Sequence, residues 1–112
     1  MPLTGLDWPF ALTDDDIDGN VDTGIGVYAL GDETESRFRI LFVGRADYDI
    51  NDRLHLHVGE YPIFKFRRFK TMREAFEREC RLFHEFTPPG NHVHPERPLG
   101  TDYRCPAQGC DH

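Results

Sequence analysis

Apolar positions alternate with a period of two through the middle of the chain and shift to a helical period after residue 70. Gly26-Val27-Tyr28-Ala29-Leu30 is short, β-branched and aromatic, and it ends on Gly31-Asp32. That predicts a strand running into a turn. From Arg37 to Gly44, Phe38, Ile40 and Phe42 alternate with Arg39, Leu41 and Val43, which predicts a second strand with one fully apolar face. The polar stretch 31–36 between them reads as a hairpin loop, so the pair should be antiparallel. Asp49 to His57 predicts a short helix with an Asx cap, placing Arg53 and His57 on one face. Ile63 to Phe69 is a third strand, with Phe64 and Phe66 facing one way. Thr71-Met72-Arg73-Glu74 is a capping box, and the helix it opens should end near Phe86, where Thr87-Pro88-Pro89-Gly90 stops it. The expected class is α/β (α+β), a small three-stranded antiparallel sheet flanked by helices. Residues 1–23 carry Asp14-Asp15-Asp16 and Asp18-Gly19-Asn20, which read as loop; Trp8, Phe10 and Leu12 are candidates to pack on a surface. The expected division is an acidic segment 1–23, a folded domain 24–91 and a Cys- and His-bearing tail 92–112.

The last helix carries a conflict. With Phe76 set at zero on a wheel, Phe83, Met72, Phe86, Ala75 and Leu82 span about 340° down to 240°, and Glu79 falls at about 300°, inside the apolar stripe. A carboxylate there is costly unless it is ion-paired, protonated or bound to a cation. An arginine such as Arg53 would serve as a structural partner; a metal ion would serve as well.

Composition bounds these readings. A chain of 112 residues has room for one domain, and nine Phe, four Tyr and one Trp suffice for a core. No apolar run is long enough for a transmembrane helix, and the N-terminus lacks the basic and apolar regions of a secretory signal. With three Cys, a cytoplasmic, reducing setting is expected, without membrane association. The net charge of −7 is unevenly spread. Residues 1–36 hold nine acids and no Lys or Arg, whereas 65–81 hold seven bases against three acids. Local charge decides where a polyanion docks, so the acidic total does not exclude nucleic acid.

The ordered set of short motifs resembles the GIY-YIG nuclease family. Gly26-Val27-Tyr28 is similar to its first motif, and Phe42-Val43-Gly44, followed by Arg45-Ala46, to its second. Asp52-Arg53-Leu54 with His57 resembles the helix that carries the family's catalytic arginine. Glu74 to Glu79 resembles the stretch ending in its metal-binding glutamate. Asn91, beyond Pro88, stands where the family has its closing asparagine. The likeness covers about residues 24–91. It implies a GIY-YIG-like fold and hydrolysis of phosphodiester bonds in nucleic acid, DNA or RNA with DNA ranked first, with Mg²⁺ or Mn²⁺ on Glu79. It further implies catalytic roles for Tyr28, Arg53, His57 and Asn91. Arg45, Lys65 and Arg67 are candidates to hold phosphate. The second motif departs from the family in carrying Phe42 instead of Tyr, so a weakened or inactive nucleic-acid or protein binding module is the alternative. A third possibility is that the acidic front recruits a basic protein partner or masks the basic patch.

The tail offers separate chemistry. Cys105 and Cys110 are five apart on a Pro- and Gly-bearing turn, and Cys80 and His84 lie side by side on the last helix. Together they make a candidate structural Zn²⁺ site, with His92, His94 or His112 as other sources of a fourth ligand. Three reduced thiols without metal are the simpler alternative.

Overall fold

The computed structural model describes residues 6–7, 9–35, 37–110 and 112. The elements in chain order are β1 (Phe10–Ala11), α1 (Asp14–Asn20), β2 (Gly26–Thr34), β3 (Arg37–Ala46), α2 (Ile50–His55), β4 (Ile63–Arg68) and α3 (Met72–Phe86). The class is α+β. The sheet has four strands, not three, in the order β1-β4-β2-β3, with every pairing antiparallel. The added strand is the two-residue β1, where Phe10 pairs with Phe64 and Ala11 with Ile63. It is too short to leave a periodic signal in the sequence. Trp8 lies outside the described residues.

Two faces of β2 divide the core. Tyr28 and Leu30 pack with Phe64 and Phe66 under Ile17 of α1 and Ile50 and Leu54 of α2. Val27 and Ala29 point the other way, against Ala75 and Leu82 of α3. The alternation that predicted the strand therefore builds two cores. Glycines 26 and 44 allow close approach: a side chain at Gly26 would meet Ile50, and one at Gly44 would meet the Tyr28 ring, which crosses from the paired position on β2.

The hairpin departs from the expected loop at 31–36. Beyond a bulge between Leu30 and Gly31, β2 continues to Thr34, which pairs with Arg37. The chain reverses at Glu35, with φ 51°. Polar residues form strand here because a fork from Arg39 to Asp32, at 2.9 and 2.6 Å, bridges the two arms in solvent.

The acidic stretch 14–20 is a helix, not a loop. Thr13 caps it by accepting the Asp16 N–H, and Asp14, Asp15 and Asp16 sit in the first turn, where the helix dipole favours negative charge. Ile17 is fully buried, with Leu12 and Val21 nearly so. The described part of 1–23 is thus integral to the domain core. Thr71 caps α3 by accepting the Glu74 N–H, and its hydroxyl donates to the Glu74 carboxylate. Thr87, in the left-handed region at φ 41°, closes the helix. Among the described residues no helix is long and apolar enough to cross a membrane.

Candidate active site

A cleft of about 490 Å³ opens along β3, the edge strand of the sheet. Its walls include Phe42 to Arg45 from β3, Tyr28 from β2, Arg53 from α2, Glu79 from α3, and the strap 90–96 that follows α3. Residues spaced across most of the chain meet here because β2 is an interior strand beside β3, while α2 and α3 cover opposite faces.

Among the described residues Glu79, 7% exposed, is the one buried charged residue. Its Oε1 accepts from Arg45 Nη1 at 2.7 Å. The ion-pair partner is therefore Arg45 of β3 and not Arg53. Arg45 is itself gripped by Asp47, with Nε 2.6 Å from Oδ1, and its guanidinium lies over the Phe76 ring. Burial pushes the Glu79 carboxyl up to about 7, while the Arg45 charge and hydrogen bond pull it down.

Tyr28 is 3% exposed, and its Oη lies 3.0 Å from Nε2 of His57. Nδ1 of His57 lies 2.8 Å from Glu60 Oε1. A carboxylate only accepts, so Nδ1 carries the proton and Nε2 is left to accept from the phenol. Burial raises the Tyr28 phenol well above its ordinary value, and the Arg53 charge opposes that rise. Tyr28 is thus a phenol whose proton has a receiver already in contact. His57 lies in the turn just past α2. Phe42 packs on the same imidazole, ring centroids 5.3 Å apart.

Arg53 is exposed, borders the cleft and forms no ion pair with a described residue. Asn91 binds the backbone of Val43 at both ends, accepting from its N–H at 2.8 Å and donating to its carbonyl at 2.9 Å. The side-chain amide thereby imitates a neighbouring strand and fastens the strap to the open edge of β3. Lys65 and Arg67 do not border the cleft. They stand on β4, beyond β2, with their charges over the rings of Phe38 and Phe69. Glu60 is a site residue that the motifs do not reveal, although its place three residues after His57 is a local signal.

A second cluster forms in the tail. His84, His94, Cys105 and Cys110 bring one donor atom each to within 4.8 Å of one another, a group able to hold a metal ion. His94 takes the place expected for Cys80. Cys80 is fully buried behind the cluster with its thiol raised, first by burial and then by its hydrogen bond to Cys105. The wheel puts Cys80 and His84 about 40° apart, but Cys80 packs into the core with Phe76 and Cys105 and is not one of the four converging donors.

No family model, curated protein or solved structure matches the chain.

Proposed function

We propose that the chain is a divalent-metal-dependent endonuclease of the GIY-YIG kind, acting on nucleic acid, with DNA the first substrate to try. The observation that carries this reading is the convergence of Tyr28, Arg53 and Glu79 on one cleft. The motif resemblance marks all three as functional, and they come from three different elements.

Glu79 offers a hard oxygen donor in a space large enough for waters and a phosphate, which suits Mg²⁺ or Mn²⁺ held by a single carboxylate. Such an ion supplies charge to the phosphate oxygens and leaving group. Arg45 and Asp47 fix where the Glu79 carboxylate stands. Arg53 forks onto the non-bridging oxygens, whose charge grows in the transition state. Tyr28 Oη takes the proton of the attacking water as its own moves to Nε2 of His57, and Glu60 steadies the imidazolium that results. The water oxygen bonds to phosphorus, the phosphorus–oxygen ester bond breaks, and the departing alkoxide is protonated from solvent.

Phe42 supports a second reading, binding without cleavage, because it puts a hydrocarbon ring against His57 where the family pattern has a phenol. One assay separates the two. Wild type and Glu79→Ala are incubated with Mg²⁺, Mn²⁺ or EDTA on single-stranded, duplex and branched DNA and on RNA. Metal-dependent cutting that disappears in the variant supports the nuclease. Salt-sensitive binding with no cutting on any substrate overturns it in favour of a binding module.

A further inference from the structure

From Thr87 onward no helix or strand forms among the described residues, and only Pro88, Pro98 and Cys105 are buried there. A segment of that length needs a tether other than a hydrogen-bond ladder. The first tether is the pair of hydrogen bonds between the Asn91 side chain and the Val43 backbone. The second is the cluster of His84, His94, Cys105 and Cys110.

The donor types and their spacing both point to one ion. Around a tetrahedral Zn²⁺, with Zn–S about 2.3 Å and Zn–N about 2.0 Å, neighbouring donors stand roughly 3.3 to 3.8 Å apart. Cys110 Sγ and His94 Nε2 are 3.4 Å apart, and all four donors fit within 4.8 Å. The His94 tautomer is set from behind: Nδ1 donates to the Pro95 carbonyl at 2.8 Å, which leaves the Nε2 lone pair facing Cys110. The His112 ring stacks on His94, centroids 4.1 Å apart, and Phe83 meets it edge-on. The imidazole is thus oriented on two sides besides its hydrogen bond.

We propose that His84, His94, Cys105 and Cys110 form a closed, structural Zn²⁺ site that fixes one wall of the cleft. On binding, the two thiols release their protons, and two thiolates balance the charge of the ion. Four protein donors leave no open position, so the ion does no chemistry on a substrate. Its effect is mechanical. The strap 92–96 borders the cleft, and it is held at one end by Asn91 and near its middle by His94. Zinc therefore holds the strap in place beside the cleft, whether or not the cleft cuts nucleic acid.

The test uses the full chain, purified under reducing conditions and titrated with Co²⁺. One equivalent should bind with the thiolate charge-transfer bands and intense visible absorption of a tetrahedral ion, and Zn²⁺ should displace it. Cys110→Ser and His94→Ala, at partly buried positions that leave the core intact, should each weaken Co²⁺ binding at least tenfold. Cys80→Ala and His92→Ala should bind as wild type. Removing zinc should speed amide hydrogen exchange across 92–96. Absence of stoichiometric uptake overturns the proposal, as does loss of the site in Cys80→Ala with retention in His94→Ala. Unchanged exchange in the strap overturns the mechanical role.

Discussion

Arg45 Nη1 stands 2.7 Å from Glu79 Oε1, joining the edge strand to the middle of α3. The pair explains how a carboxylate is tolerated in an apolar stripe, and it predicts an asymmetry. Arg45→Ala leaves Glu79 buried without its cation and should cost about 3 kcal/mol of stability. Glu79→Gln keeps the shape and the acceptor while removing the buried charge, so it should change stability by no more than about 1 kcal/mol yet abolish cleavage. Urea denaturation of both variants checks this. Equal losses would mean that the pair is not what holds the carboxylate.

The pH dependence follows from the same residue. The folded Glu79 pKa of about 7 lies above the ordinary 4.5, so the proton is bound more tightly in the fold. The stability it contributes is full below the ordinary value and is lost as pH rises through about 7. A divalent ion competes for the same oxygens. Cleavage should therefore rise as pH climbs through about 7, and more Mg²⁺ should move that limb to lower pH. A limb indifferent to Mg²⁺ concentration would separate it from Glu79.

A third expectation concerns the chain of contacts from Tyr28 through His57 to Glu60. Tyr28→Phe keeps the ring over Gly44 but removes the hydroxyl that meets His57 Nε2 at 3.0 Å. Cleavage should fall by about a hundredfold or more with the fold intact. Glu60 does not border the cleft; it is a positioning residue. Glu60→Gln should lower the rate about tenfold by weakening the imidazolium. Full activity in Tyr28→Phe would remove the phenol from the mechanism.

Strong periodicity is legible in the sequence: β2, β3, β4 and α3 all lie where alternation and capping place them. The helical wheel singles out Glu79 by itself, because a charge in an apolar stripe is a local signal. Its partner is not legible. The sequence suggests Arg53 as the cation and Arg45 as a phosphate contact, and only the register of β3 against β2 and the packing of α3 on β3 select Arg45. The acidic stretch 14–20 misleads for the opposite reason. Asp, Asn and Gly favour turns locally, and one buried residue, Ile17, is too little to show a period. Tertiary packing on α2 decides it. The tail cluster is half legible: Cys105 and Cys110 announce themselves by spacing, but the choice of His94 over Cys80 depends on how an irregular chain folds back.

That packing of α1 on α2 gives the last prediction. Asp14 and Asp18 are four apart on α1, like charges on one helical face. His55 of α2 stands between them, with Nδ1 2.5 Å from Asp14 Oδ1 and Nε2 2.8 Å from Asp18 Oδ1. Both ring nitrogens face acceptors, so the contact is complete only for imidazolium. The hydrogen bonds to Asp14 and then Asp18 raise the His55 pKa above its ordinary value. A raised histidine contributes stability that is fully present below the unfolded value, about 6.5, and that is lost as pH rises through the folded value. The domain should therefore lose thermal stability on the alkaline side of about pH 6.5. His55→Gln, which cannot be protonated, should flatten that part of the curve while retaining the other slopes. Titration of the His55 ring by NMR gives the folded pKa directly. A value at or below the ordinary one would show that the two aspartates do not hold an imidazolium, and the pH dependence would then have to come from Glu79 alone.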